Sequence, residues 1–153
     1  MDWESWFGIG GQLAAAGWLV LIVAPRRWRL LNAVPRYAIP LALSLGYAVL
    51  ILVWFGEADG GFGSLAAVKA LMASDPVLLA GWVHYLAFDL FVGGWIARDA
   101  DRRGLSRLVQ APILALTFMF GPIGLASYLC LAALWRRMRA AAARTAPLAG
   151  APA

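Results

Sequence analysis

The chain has 153 residues, 63% of them hydrophobic and 14% charged, and a mean hydropathy of +0.75. A soluble domain holds roughly 45–50% apolar and about 25% charged residues, and one of this length cannot bury so much apolar surface. Soluble globular, disordered and disulfide-scaffold classes are excluded, which leaves a polytopic membrane protein. The net charge of +5 is no nucleic-acid signature. The arginines stand in short clusters between apolar runs, where they read as topology signals. Lys69 is the one lysine. The single cysteine, Cys130, and single histidine, His84, exclude zinc or iron–sulfur sites built from Cys and His alone.

The predicted architecture is all-α: an integral membrane bundle of four transmembrane helices within residues 1–139, followed by a frayed tail over 140–153. The first apolar run, Trp6 to Ala24, follows Asp2 and Glu4 and closes on Pro25, Arg26 and Arg27. A secretory signal has the reverse polarity, so this is a retained span. The second run is Tyr37 to Phe55, with Pro40 tolerated in its first turn. A short interfacial helix is expected at Ser64–Ala73. The third run is Val77 to Ala97, with Asp75 as N-cap and Pro76 as first helical residue. The fourth is Ala111 to Trp135. Each run has about the 17–25 residues that span hydrocarbon.

Arg26, Arg27, Arg29 and Arg36 lie between the first two runs, and Arg98, Arg102, Arg103 and Arg107 between the last two. By the positive-inside rule these loops are cytoplasmic and the N-terminus is outside. Four spans then place Arg136, Arg137, Arg139 and Arg144 outside too, against the rule. The arginine-over-lysine, alanine-rich composition suggests a GC-rich bacterium and hence an inner membrane.

The third run carries the chemistry. His84 and Asp89 lie deep within it, and Asp89 is the only acidic residue in the middle of any run. A charge at a helix centre costs at least about 2.5–3.5 kcal/mol on insertion scales, so Asp89 must face the bundle interior or a wet cavity. At 100° per residue Tyr85 and Asp89 stand roughly 40° apart and His84 and Asp89 roughly 140° apart. The latter pair borders one broad face, expected to be inward, with Phe88, Gly81 and Val92 between. The alternative is that these groups only hydrogen-bond neighbouring helices, with Tyr85 a satisfied core hydroxyl. Asp99 shares the His84 face nearer the helix end.

In the fourth run Pro122 is expected to kink the helix. The surrounding glycines serve close packing, or the bend walls an elongated ligand, with Thr117 and Tyr128 offering hydroxyls. Gln12, Ser44 and Tyr47 are further interior polar candidates. Trp3, Trp6, Trp28, Trp54 and Trp135 sit at span ends as interfacial anchors. Trp18, Trp82 and Trp95 lie within spans, where pocket-lining and lipid-facing roles are both open.

The string Trp82-Val-His84-Tyr85-Leu-Ala-Phe88-Asp89-Leu-Phe-Val-Gly93 with Trp95, followed by Asp99, resembles the family of plant neoxanthin synthase, known as ABA4-like. Pro112 and Thr117-Phe-Met-Phe-Gly121-Pro122-Ile-Gly124 form a second, weaker patch. The resemblance covers Trp6 to Leu134; Gly94 departs from it, where a basic residue is frequent. It implies a membrane carotenoid enzyme that opens a violaxanthin epoxide to the allene and hydroxyl of neoxanthin, a redox-neutral isomerisation. Such a step needs an acid at the oxygen and a base at a polyene carbon. Asp89 and His84 fill these roles in either order, with Tyr85 orienting one of them. Trp82, Phe88, Trp95, Asp99, Thr117 and Tyr128 are the expected substrate contacts.

Most bacteria are not expected to make violaxanthin, so a bacterial member is expected to act on, or only bind, another carotenoid or polyene. Two alternatives stand beside the isomerase: a non-catalytic carotenoid- or lipid-binding module, and a small proton-coupled carrier using Asp89. Expected partners are an apolar polyene or lipid and the bilayer, with no nucleic acid, and a homo-oligomer is allowed. No cofactor is expected, since the chain has no nucleotide, haem or flavin motif. His84 with Asp89 or Asp99 is too few ligands for a metal.

Overall fold

The computed structural model describes residues 2–145, and all regular structure among them is helical. Helix α1 (Trp3–Val23) starts on Asp2, whose carboxylate accepts from the Ser5 N–H at 3.3 Å. This satisfies one of the unpaired donors of the first turn. Its last carbonyls are capped from across the bundle. Arg107 donates to the Ala24 carbonyl at 2.7 Å and to that of Ile22. Helix α2 (Arg29–Ala33) continues through a π-helical turn (Val34–Ala38) into α3 (Ile39–Trp54). The second apolar segment is therefore helical from Arg29 to Glu57, earlier than the hydropathy boundary at Tyr37. The interfacial helix is present as α4 (Leu65–Leu71), with the Ser64 hydroxyl accepting from the Ala67 N–H at 3.1 Å. Helix α5 (Asp75–Arg102) has Ser74, not Asp75, at its N-cap, so Pro76 is its second residue.

Helix α5 is the centre of the bundle and packs on α1, α3 and α6 (Arg107–Thr145). Its buried side carries Val83, Leu86, Leu90, Gly93 and Ala97. Trp18 of α1 is 3% exposed and lies on Gly93, where a Cβ would meet its ring at 2.3 Å. Trp18 is thus a core residue, admitted because Gly93 has no side chain.

Four helical segments are long and apolar enough to cross a membrane: Trp3–Val23, Arg29–Glu57, Asp75–Arg102 and Arg107–Arg144. The fourth is not straight. Phe120 (φ −139°, ψ 35°) and Gly121 (φ 15°, ψ −84°) leave helical geometry, and the chain turns back on itself. The Tyr128 hydroxyl donates to Asp99 Oδ2 at 2.6 Å, and Trp135 Nε1 donates to the Arg103 carbonyl at 3.1 Å. At about 1.5 Å per residue an unbroken helix would carry Tyr128 some 30 Å from Arg107, far from Asp99. At the bend, a Cβ on Gly124 would lie 2.4 Å from Thr117 Cα. Helix α6 is therefore a helical hairpin with arms 107–119 and 122–145. Pro122 opens the second arm, where its missing N–H costs nothing.

The expected kink is a reversal, and this changes the ends. Arg26 meets Asp101 at 3.1 Å, so the α1–α2 and α5–α6 connections share one end of the bundle. The second arm returns to it. Among the described residues every arginine falls at that end and Lys69 at the other. The expected placement of the C-terminal arginines opposite the arginine loops is overturned. The helix runs on to Thr145, past the boundary expected at residue 139, and the rest of the expected tail, 146–153, lies outside the described residues.

A test of the hairpin follows from its ends. With Cys130→Ser as background, Glu4→Cys and Gly63→Cys should react with an impermeant maleimide from one face of a vesicle, and Ala143→Cys only from the other. Labelling of all three from the same face would mean a fourth full span.

Candidate functional site

The packing of α5 decides what its polar residues face. Small residues (Ala80, Ala87, Gly93, Gly94, Ala97 and Ala100) lie on its buried side, because they let neighbouring backbones approach. The opposite side, expected to be inward, turns outward. Phe88 on it is 58% exposed, and His84 is exposed as well. His84 and Asp89 border this outward face from its two edges. His84 stacks on Phe88 at 4.4 Å and lies 5.4 Å from the Tyr47 ring of α3, centroid to centroid. Asp89 turns toward the tip of the α6 hairpin.

Asp89 has an unusual setting. Its Oδ2 is buried with no hydrogen-bond partner. The Gly121 backbone lies against the carboxyl, so close that a Cβ there would stand 2.6 and 2.7 Å from its two oxygens. Tyr85, one turn earlier, is its polar neighbour. A buried polar atom without a partner costs free energy and calls for a reason. A carboxyl with one oxygen unpartnered and a tyrosine hydroxyl as its polar neighbour, half-way along a membrane helix and at the edge of an outward face, is suited to proton transfer with an apolar molecule arriving from the bilayer.

The other expected contacts divide. Trp82 stacks on Phe7 at 5.1 Å, and Phe88 remains on the outward face. Asp99, Tyr128 and Trp95 meet, with the Tyr128 ring edge-on to Trp95 at 5.6 Å and Asp99 also accepting from Arg103 Nε at 2.6 Å. These three tie the second hairpin arm to α5. The Thr117 hydroxyl donates to its own helix at the Ile113 carbonyl, 2.8 Å away, and is fully buried under Gly124. Gln12 and Ser44, expected inside, are exposed. Tyr128→Phe should lower stability in detergent by about 1–3 kcal/mol, because it leaves a partly buried carboxylate short of a donor. Thermal unfolding followed by circular dichroism reads this directly.

Two apolar grooves open on the bundle. One, of about 450 Å³ between α3 and α5, is lined by Tyr37, Leu41, Ser44, Phe88 and Phe91, with Arg36 at its end. The other, of about 400 Å³ between α1, α3 and α5, is rimmed by Trp3, Trp6 and Trp54 over Gly10 and Gly46. Asp89 lines neither, and His84 reaches the first only through Phe88.

Residues 5–128 match the family described as ABA DEFICIENT 4-like. The chain belongs to the ABA4-like family. No curated protein and no solved structure matches it. The matched region of this ABA4-like chain holds α1 to α5, the first hairpin arm and the tip, and ends on Tyr128, the residue that ties the returning arm to Asp99.

Sequence reasoning passed over the polar groups at the arginine end. Asn32, 1% exposed, accepts from Arg26 at 2.9 Å and donates to the Pro25 and Trp28 carbonyls. Gln110, 2% exposed, donates to Asp101 and to the Leu105 carbonyl. Burial pushes the Arg26 pKa down while Asp101 opposes it. The available signal was an Asn and a Gln beside arginine clusters at span ends. Hydropathy alone assigns such residues to loops.

Proposed function

We propose that this ABA4-like protein is a membrane-embedded carotenoid-modifying isomerase of the neoxanthin synthase type, with Asp89 as its proton-transfer group. The observation that carries the reading is the Asp89 carboxyl, set between Tyr85 and the hairpin tip with its Oδ2 buried and without a hydrogen-bond partner. A polyene dissolved in the bilayer meets the outward face of α5 directly, lying over Phe88 with Asp89 at one edge and His84 at the other. For an epoxide substrate, the Tyr85 hydroxyl gives its proton to the ring oxygen as the carbon–oxygen bond breaks. The Asp89 carboxylate takes a proton from the adjacent polyene carbon, whose bonding pair becomes the new carbon–carbon double bond. Return of that proton from Asp89 to Tyr85 restores the site. One hydrogen has moved from carbon to oxygen, and no electron acceptor is consumed.

The arginine-rich end faces the cytoplasm in this reading, with the N-terminus outside the inner membrane. A second reading, a non-catalytic carotenoid- or lipid-binding module, is favoured by one observation: neither groove is lined by Asp89. Coexpression in a host that accumulates violaxanthin, with pigments separated by chromatography, tests both. A new pigment of unchanged mass supports the isomerase. An unchanged pigment profile, with pigment copurifying with the protein, selects the binding module.

A further inference from the structure

The polar end of the α3–α5 groove is chemically unlike the rest of it. The π-helical turn Val34–Ala38 presses Arg36 onto α5 at Gly94, where a Cβ would lie 3.3 Å from Arg36 Cγ and 3.4 Å from its Cα. The guanidinium is carried to the groove's end, and its Nε and Nη2 are buried without hydrogen bonds. Its nearest carboxylate is Asp101, 3.6 Å from Nη2. That carboxylate is already engaged by Arg26 at 3.1 Å and by Gln110 at 2.9 Å. Arg98 and Arg107 also act electrostatically on Arg36. Arg107 spends its donors on the α1 carbonyls, and Arg98 lies over Tyr37 and donates to its hydroxyl. Arg26 and Arg36 thus share the Asp101 carboxylate, Arg98 and Arg107 add positive charge around Arg36, and Asp99 is taken by Arg103 and Tyr128. The cluster is electropositive, lies at a bundle end, and opens into an apolar channel walled by Tyr37, Leu41, Phe88 and Phe91.

We propose that this groove is a binding site for an anionic phospholipid, its phosphate on the Arg36 guanidinium and one acyl chain along α3 and α5. A phosphate offers the acceptors that Arg36 lacks and the negative charge that the cluster lacks. Basic pockets between membrane helices bind anionic headgroups for this reason. The chain matches the apolar walls, and the Ser44 hydroxyl lies farther along the groove. The site shares the Phe88 wall with the face proposed to meet the polyene, but its phosphate-binding end at Arg36 uses none of the groups proposed to move protons.

Native mass spectrometry of the detergent-purified full chain, with phosphatidylglycerol or phosphatidylcholine added separately, tests it. The expected result is one retained phosphatidylglycerol per chain, at least tenfold over phosphatidylcholine. Arg36→Gln should abolish the difference. Ser44→Phe, at an exposed position on the groove wall, obstructs the chain's path and leaves the arginine cluster intact; it should do the same if the chain lies there, so the test does not rest on Arg36 alone. Arg137→Gln in the returning arm should change nothing. Equal retention of the two lipids, or selective retention that survives both Arg36→Gln and Ser44→Phe, overturns the proposal. So does a carotenoid in the groove that phosphatidylglycerol does not displace.

Discussion

Asp89→Asn should abolish pigment conversion while leaving the protein folded. The side chain keeps its shape and loses its ability to carry a proton, so the expected loss is the roughly 10²–10⁴-fold contribution of a positioned acid or base. Stability should hold or rise, because the wild-type carboxyl has a buried oxygen without a partner and an amide carries no charge to desolvate. The pairing of lost turnover with retained thermal stability separates catalysis from packing. Tyr85→Phe should lower conversion strongly, and His84→Ala should weaken but not abolish it, since His84 stands at the far edge of the face with Phe88 between. If Asp89→Asn converts pigment normally, the carboxyl is no proton-transfer group; if it loses stability as well as activity, the group is helix-packing glue.

Gly124→Val should be strongly destabilising. Its Cβ would stand 2.3 Å from Thr117 Oγ and 2.4 Å from Thr117 Cα and N. Two of these atoms are backbone, which cannot swing aside as a side chain does. Overpacking of this kind costs about 3 kcal/mol or more. Gly8→Ala and Gly11→Ala meet nothing within 4 Å and should be close to neutral. Thermal unfolding in detergent measures all three, and maleimide labelling of Ala143→Cys in the Gly124→Val background reports whether the second arm still returns. Full stability of that variant would mean the arms do not touch at Thr117.

Much of the architecture was legible before any contact was known. Length, apolar runs and arginine clusters are properties of local composition, and lipid imposes them on a chain segment by segment. The helical class, the short α4 with its Ser64 cap, the four apolar segments and the exceptional polarity of the third could all be read that way. So could the family, because the His84-to-Gly93 string is long and continuous.

The tertiary structure decided three things that periodicity leaves degenerate. Gly121, Pro122 and Gly124 permit either a kink or a reversal. The choice fell to what the returning arm could touch: Asp99 for Tyr128, the Arg103 carbonyl for Trp135, and Thr117 for Gly124. The rotation of α5 about its axis was settled by its small residues, which packed against α1 and α3 and left the aromatic face of Phe88 outward. Arg36 read as a topology charge until the π-helical turn laid it on Gly94 at the end of a groove. In each case the sequence by itself determined which groups are present and at what depth, because partition into lipid acts on residues one at a time. Which groups meet depends on close packing between distant segments, and only the assembled bundle supplies that.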